Sequence, residues 1–520
     1  MMGFWLKLWF HLSMLLLRNR ARSRRKHPDG VIQSALIASP VPSRSSMPLR
    51  PLLRAALSAY FVASAMASLI LHLHPQRGVT SLLIWGPKIL AATFTPVLML
   101  VNFVSLVLGI IRRRWLWTVA GGMGTFFSGH YIYQIRKASP GFDRYFGEDW
   151  EQRVPPELRP GILPRRWSML LRAPLNVPRE FDVVVGRSPA TGKPILANIW
   201  LPPDGVAPNG AAIIYVHGGA WVYGDKDNTQ RPTFRHAVAQ GYLVMDVAYT
   251  LWPESNIPDM VKEVKTAVLW LKEHASRYHI DPDRITLVGA SAGAHLALLA
   301  AYAIGHPAFR PPDAPADADA RVRAVVAYYP PVDFRAMYED LEAQFGRVIR
   351  NPRAISVANR ALNALKKIGY IPESYRLGND FNILHQMLGG SPDDVPEMYD
   401  LLSPFTYISP ENPPTLFFQG ADDFFRFAPP LRRLHRRLQR AGAIAIYVEF
   451  PYTPHGFDLF LPQISPVALR SILELDRFLY LVNFVYPGNK RRSPNIANPT
   501  PYAASDADFL VEDTTPNPEP

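Results

Sequence analysis

The chain has 520 residues, which is too long for one ordinary compact domain and predicts at least two regions. It contains no cysteine, which excludes disulfides, a cysteine nucleophile and thiolate metal sites. The formal net charge is +13, but the positive residues gather beside long apolar stretches and do not alternate with aromatic residues. This distribution favours the flanks of membrane helices over a nucleic-acid surface, and the sequence carries no nucleic-acid motif.

Residues 1–140 predict a membrane-associated region with two or three transmembrane helices. Residues 4–17 are apolar but short, which favours an amphipathic helix at the bilayer interface. Three longer stretches without Asp, Glu, Lys or Arg follow at 55–73, 89–111 and 115–133. Stretch 89–111 is long enough to cross about 30 Å of hydrocarbon, and 115–133 is weaker because it is rich in glycine. The alternative, buried helices of a soluble domain, is disfavoured by the flanking arginine, tryptophan and tyrosine residues.

The number of crossings decides which side of the membrane the rest of the chain faces. One basic cluster contains Arg18, Arg20, Arg22, Arg24, Arg25 and Lys26, and a second contains Arg112, Arg113 and Arg114. Because such clusters stay in the cytoplasm, a two-helix hairpin would return the chain to the inside. A third crossing by residues 115–133 would place it outside, although Arg136 and Lys137 weigh slightly against this. Both topologies stay open, and the expected location is the plasma membrane.

Residues 141–179 are predicted to be a linker, and residues 180–484 an α/β domain. Short β-branched runs alternate there with helical stretches, which is typical of βαβ units and a mainly parallel sheet. The predicted strands are 211–216, 242–247, 285–288, 322–328, 415–418 and 444–450. Residues 261–278 predict an amphipathic helix between two of these strands. Residues 485–520 are rich in proline and polar residues and are predicted to be disordered.

The strongest motif is Gly289-Ala290-Ser291-Ala292-Gly293, between a predicted strand and an apolar helix. It predicts a sharp strand-to-helix turn that exposes a nucleophilic serine, because small neighbours permit strained dihedral angles. The helix N-terminus that follows stabilises negative charge. Ser291 is therefore the predicted nucleophile.

A glycine-rich loop follows the strand at 211–216 and contains His217, Gly218, Gly219 and Ala220. Glycines allow backbone N–H groups to approach a developing oxyanion, and the N–H of Ala292 would complete this site. A plain glycine turn is the alternative, which the downstream serine motif disfavours. His217 is expected to orient the loop and not to act in catalysis.

The remaining catalytic groups are expected downstream in the order acid, then histidine. Of the 14 histidines, only His455 follows a strand and precedes a glycine in this order. His435 lies in a basic helical pattern and is expected to be solvated. Asp422 and Asp423 both follow the strand at 415–418, and Asp423 is preferred as the group that orients His455.

These motifs make the region 180–482 similar to the esterase and lipase branch of the α/β-hydrolases. It resembles hormone-sensitive-lipase-like, feruloyl-esterase-like and prenylcysteine-methylesterase-like enzymes. Further matching segments are Tyr249-Thr250-Leu251-Trp252-Pro253-Glu254, Ser403-Pro404, Pro413-Pro414-Thr415-Leu416 and His455-Gly456-Phe457. The resemblance implies an eight-stranded, mainly parallel sheet with flanking helices and a cap insertion at about 334–401. It also assigns Gly218 and Gly219 to the oxyanion hole, with Ala220 beside them, and Asp423 to the acid.

The sequence thus predicts a serine hydrolase that cleaves small-molecule or lipid esters without a metal or organic cofactor. Membrane attachment favours a lipophilic substrate through local concentration. Acyl transfer or amide hydrolysis by the same triad is the alternative within enzymes. A membrane-anchored binding module without activity is the alternative outside them.

Overall fold

A computed structural model describes residues 49–74, 79–137, 141–154, 156, 173–227, 230–349, 356, 360, 363, 366–367 and 382–485. The predicted interfacial helix at 4–17, the first basic cluster at 18–26 and the predicted disordered tail lie outside the described residues.

Eight strands form one sheet in the order β1-β2-β4-β3-β5-β6-β7-β8. They are β1 (Arg179–Arg187), β2 (Pro194–Trp200), β3 (Ala212–Val216), β4 (Leu243–Ala248), β5 (Ile285–Ala290), β6 (Ala324–Tyr328), β7 (Thr415–Gly420) and β8 (Ala445–Phe450). From β4 to β8 all neighbours are parallel, whereas β2 runs antiparallel to both β1 and β4. The predicted eight-stranded, mainly parallel sheet is confirmed, and all six strands predicted from periodicity are present.

Periodicity did not predict β1 and β2, which form one edge of the sheet. In β1 the exposed residues mix apolar Phe181 and Val184 with Asp182 and Arg187, and Asp182 has a positive φ of 53° where the pairing register shifts. In β2 the buried Asn198 interrupts the apolar run, and its Oδ1 accepts a hydrogen bond from the backbone N–H of Asp182. An edge strand with a bulge therefore lacks the continuous apolar pattern of the central strands.

Helices cover both faces of the sheet. After the N-terminal helices α1–α4, described below, the helices are α5 (Asp143–Phe146), α6 (Arg231–Val238), α7 (Ile257–Glu273), α8 (Ala292–Tyr302), α9 (Phe334–Ile349), α10 (Ile383–Leu388), α11 (Pro396–Leu401), α12 (Ala428–Arg440) and α13 (Pro466–Tyr480). Helices α7, α8 and α12 contribute to the apolar core on one face, and α6 and α13 to the core on the other. The predicted helix at 261–278 begins four residues earlier than expected because Asn256 caps it, accepting a hydrogen bond from the N–H of Asp259.

The region predicted as a cap, 334–401, contains α9, α10 and α11 in its described parts. Tyr399 of α11 is buried, and Arg335 of α9 forms an ion pair with Asp400 of α11 at 2.9 Å. Most of residues 350–381 lie outside the described residues, although Arg360, Lys366 and Lys367 are described.

The described chain begins with four helices: α1 (Leu49–Ile70), α2 (Val79–Thr93), α3 (Thr95–Ile111) and α4 (Trp115–Lys137). The prediction of one uninterrupted helix over 89–111 is wrong, because the chain turns at Phe94 and the segments on either side are bent by 76°. Pro96 near the start of α3 explains the break, since proline has no N–H to continue the ladder of α2.

Length and composition identify candidate membrane spans within the described residues. Pro51–Ile70 is long and apolar enough alone, and the bent pair Leu83–Thr93 and Thr95–Ile111 qualifies as a second span when counted together. Helix α4 does not meet the same test. The described chain therefore has one or two candidate membrane spans near its N-terminus.

The interior of this helical region contains many small and polar residues beside buried rings such as Phe61 and Trp117. Asn102 of α3 donates to Ser68 Oγ of α1 at 2.9 Å, and Ser128 Oγ of α4 lies 2.9 Å from the same oxygen. Gly121 of α4 packs so closely on α3 that a Cβ there would lie 2.3 Å from the N of Leu106. Close backbone approach therefore joins α3 to α4, and the buried hydrogen bonds join both helices to α1.

The N-terminal helices also share a core with the sheet. Tyr131 and Ile135 of α4 are fully buried in the cluster that covers the α13 face. Phe146 and Trp150 join the same cluster, so residues 141–154, the first part of the predicted linker 141–179, pack into the core. The two parts of the chain meet through a continuous apolar interface.

We expect Gly121→Ala to destabilise the protein by about 1–3 kcal/mol, because the new methyl group overpacks the contact between α3 and α4. Gly129→Ala in the same helix is the matched control, since nothing lies within 4 Å of a Cβ at that position. Thermal unfolding of the detergent-solubilised full chain measures both variants. Equal melting temperatures would contradict the tight packing at Gly121.

Candidate active site

Ser291 lies at the turn between β5 and α8, at the edge of the sheet where the parallel strands end. Its φ of 52° and ψ of −121° are strained for a residue with a side chain. The flanking glycines make the turn possible, because a Cβ on Gly293 would lie 2.1 Å from the carbonyl oxygen of Val216, and one on Gly289 would lie 2.5 Å from that of Gly293. The turn is held in place by the Ser291 N–H, which donates to the carbonyl of Tyr328 at 2.9 Å.

The loop after β8 brings His455 to this serine. His455 Nε2 lies 3.1 Å from Ser291 Oγ, and His455 Nδ1 lies 2.8 Å from Asp423 Oδ2. The imidazole is 6% exposed and is bordered by the rings of Tyr329 and Phe425, with centroids 4.4 and 4.9 Å away. These contacts leave the ring little freedom to turn away from the serine.

Asp423 is held by the loop that follows β7. Its Oδ1 accepts a hydrogen bond from the N–H of Phe425, and its Oδ2 accepts one from Gln419 Nε2, both at 2.9 Å. The carboxylate is buried with one donor on each oxygen in addition to His455. A carboxylate fixed in this way can orient the imidazole and stabilise it when it becomes positively charged.

Asp422 points to different partners. Its carboxylate contacts Lys88 of α2 and accepts a hydrogen bond from His74 Nδ1 at 2.8 Å. Burial alone would raise the pKa of Asp422, but the hydrogen bond from His74 and the charge of Lys88 hold it below its ordinary value. Of the two aspartates weighed from the sequence, the structure brings only Asp423 to the histidine.

The glycine-rich loop after β3 lies beside the serine. A Cβ on Gly218 would be 3.3 Å from Ser291 Cβ, and Gly219 and Ala220 have positive φ values of 139° and 49°. The backbone N–H groups of Gly219, Ala220 and Ala292 donate no hydrogen bond to any part of the chain that the structure describes. Three unused donors near the nucleophile can stabilise an oxyanion.

His217 and His435 do not reach the serine. His217 stacks on Tyr249 with ring centroids 4.4 Å apart, and its Nδ1 lies 3.0 Å from the carbonyl oxygen of Gly218. Burial lowers the pKa of His217, so it packs the loop as a neutral ring. His435 is partly buried against the carbonyl of Ala445 at 3.0 Å, which corrects the expectation that it is solvated.

Sequence reasoning missed several residues that hold the site in place. Gln419 directly precedes Gly420 in β7. Its polar side chain is fully buried, which only the structure shows. Trp85 donates from Nε1 to the carbonyl of His455 at 2.8 Å across 370 positions of sequence. Among the described residues, no group of three or more His, Asp or Glu side chains is arranged to hold a metal ion.

Comparison with known proteins shows similarity to bacterial ester hydrolases. Residues 197–368 match the family model described as BD-FAE. The chain is 27% identical over 312 residues to the probable carboxylic ester hydrolase LipM of Mycobacterium tuberculosis, with 58% of this chain and 62% of LipM covered. It is 29% identical over 292 residues to esterase LipQ of the same organism, with 56% and 60% covered. The chain thus spans about three fifths of the length of these relatives.

Among solved structures, the apo form of Thermogutta terrifontis esterase 2 is similar with a TM-score of 0.44 and 22% identity, and the match covers 61% of this chain and all of that one. The order and direction of the eight strands show the α/β-hydrolase fold, and residues 197–368 resemble the BD-FAE family.

Proposed function

We propose that this protein is a serine hydrolase that cleaves carboxylic esters through an acyl-enzyme intermediate. The observation that carries the proposal is the continuous hydrogen-bonded series from Ser291 Oγ through His455 to the buried Asp423, at 3.1 and 2.8 Å. Such a series makes a weakly acidic hydroxyl nucleophilic because the imidazole accepts its proton as the new bond forms.

The proposed reaction has two stages. Ser291 attacks the ester carbonyl while His455 takes the hydroxyl proton, and the N–H groups of Gly219, Ala220 and Ala292 stabilise the negative oxygen. His455 then donates the proton to the departing alcohol, which leaves the acyl group on the serine. A water molecule, deprotonated by His455, attacks the acyl-enzyme, and the carboxylic acid is released with the serine regenerated.

Two alternatives use the same domain differently. Acyl transfer or amide hydrolysis would need the same triad, with another nucleophile or leaving group, and the products would distinguish them. A binding module without activity would not react with a fluorophosphonate, which modifies an activated serine. The short Ser291–His455 distance favours the enzyme.

We expect Ser291→Ala to lower kcat on a short-chain aryl ester by about 10⁴-fold or more and to abolish fluorophosphonate labelling, because triad members act as a unit. Ser391→Ala, at an exposed serine of the cap region, is the matched control and should keep both properties. Hydrolysis at the wild-type rate by Ser291→Ala would refute the proposed nucleophile.

We expect Asp423→Asn to lower kcat by about 10⁴-fold, because the amide favours the wrong imidazole tautomer. Asp422→Asn should lower kcat far less, since Asp422 does not contact His455. Steady-state kinetics on the same ester measure both variants. The reverse ranking would move the acid to Asp422.

We further propose that α1, α3 and α4 lie in the plasma membrane as a three-helix bundle. Many of their contacts with one another use glycine, serine and asparagine, and numerous large apolar side chains face outward. Exposed examples are Leu53 (60%), Met66 (61%), Leu100 (62%), Ile110 (61%) and Phe126 (66%). Small residues inside and large apolar residues outside are typical of helices packed in lipid, where water does not drive apolar residues inward.

The proposed orientation places the hydrolase domain on the non-cytoplasmic side. The end of α1, the start of α3 and the end of α4 lie near the sheet, since His72 contacts Tyr452 and Tyr131 contacts Thr453. The turn with Arg112, Arg113 and Arg114 therefore lies at the opposite end of α3, about 25 Å away for a helix of this length. Because arginine-rich turns stay in the cytoplasm, the catalytic domain would face outward, where a lipophilic ester could reach it from the bilayer.

We expect a single cysteine at Asp313→Cys in the hydrolase domain to react with a membrane-impermeant maleimide in spheroplasts. Arg113→Cys should react only after permeabilisation. The absence of native cysteine makes each label specific. The opposite labelling pattern would place the hydrolase domain in the cytoplasm.

A further inference from the structure

Helix α2 lies between the N-terminal bundle and the two loops that carry His455 and Asp423. Lys88 is only 2% exposed, and its ammonium group contacts the carboxylate of Asp422 and the carbonyl oxygen of Leu73, the latter at 2.7 Å. His74, just after α1, binds the other oxygen of the same carboxylate. The N-terminal region therefore holds the residue next to the proposed catalytic acid from two sides.

The same helix reaches the histidine loop. Trp85 Nε1 donates to the carbonyl oxygen of His455 at 2.8 Å, and its ring lies 5.4 Å from that of Phe424 in the acid loop. One side chain of α2 therefore contacts both loops.

The two loops are also bonded directly to each other. The N–H of Asp422 donates to the carbonyl of Thr453 at 2.9 Å, two residues before His455. A shift of Asp422 would consequently move the backbone on both sides of the proposed Asp423–His455 pair. Displacements of about 1 Å at reacting groups can cost about 10²-fold in rate.

We infer that Lys88 and Trp85 are positioning residues for the triad, so that the N-terminal helices form part of the esterase's catalytic apparatus. The inference rests on the proposed function, since positioning has meaning only if Ser291 and His455 react. Neither residue touches the nucleophile; each acts through the backbone or side chain of a loop residue.

A purely structural role is the competing explanation. In that case the ion pair would stabilise the fold, but the folded fraction of a variant would catalyse normally. Removing one partner of a buried ion pair is strongly destabilising, whereas replacing both by apolar or neutral groups is far less so. The double variant therefore separates the two explanations.

The test uses the full chain in detergent, with Lys88→Met, Asp422→Asn, the double variant and Trp85→Phe. We expect Lys88→Met and Trp85→Phe to lower kcat about 10- to 100-fold with KM within about twofold, and to shift the acidic limb of the kcat/KM pH profile. The double variant should recover melting temperature but not kcat. Lys193→Met, which breaks the exposed 3.1 Å ion pair with Glu254, is the matched control. It should leave kcat, KM, the pH profile and the melting temperature unchanged.

Activity measured per mole of fluorophosphonate-labelled serine corrects for unfolded protein. If the double variant and Trp85→Phe keep wild-type kcat and pH profile, the positioning role is refuted while the esterase proposal stands. If the wild-type chain itself neither labels nor hydrolyses esters, the proposed function has failed instead. If Lys88→Met does not fold, the double variant and Trp85→Phe decide the outcome.

Discussion

The contact between the start of helix α8 and the end of strand β3 is the constraint on which the proposed site depends. Gly293 approaches the carbonyl oxygen of Val216 so closely that no side chain fits between them. This approach forces Ser291 into a positive φ and exposes its hydroxyl at the edge of the sheet. The glycine-rich loop leaves β3 at the same point, so this packing contact brings the proposed nucleophile close to the proposed oxyanion donors.

The helical region and the sheet differ in which residues they bury. In the sheet, aromatic and branched residues such as Phe418 and Phe450 fill the interior, because water drives them inward. In the bundle, Ser68 and Asn102 are buried and Phe126 is exposed. The polarity reverses at the ends of α1 and α4, where Leu71 and Tyr131 join the core of the catalytic domain.

Local motifs could be predicted from the sequence because their chemistry is contained in a few adjacent residues. The serine turn depends on glycines within two positions of Ser291, whereas the assignment of Asp423 as the acid was supported by the resemblance to the esterase and lipase branch. The break at Phe94 had a local cause in Pro96, but the uncharged run around it suggested a longer helix. The edge strands could not be predicted because the bulge at Asp182 and the buried Asn198 interrupt the apolar pattern.

Contacts between distant parts of the chain could not be predicted in this way. Lys88 and Asp422 are separated by 334 positions, and nothing in either local sequence indicates that they meet. A lysine in an apolar stretch is normally expected to reach towards water, so its burial on the acid loop depends on the complete tertiary structure.

The shared core of α4, residues 141–154 and the sheet has an evolutionary consequence. An anchor joined through a free tether can be gained or lost by gene fusion, because the catalytic unit remains intact on its own. Here Ile135, Phe146 and Trp150 fill a face that a simple deletion would expose to water. The N-terminal helices and the sheet domain would therefore have had to be inherited together, with each selected in the presence of the other.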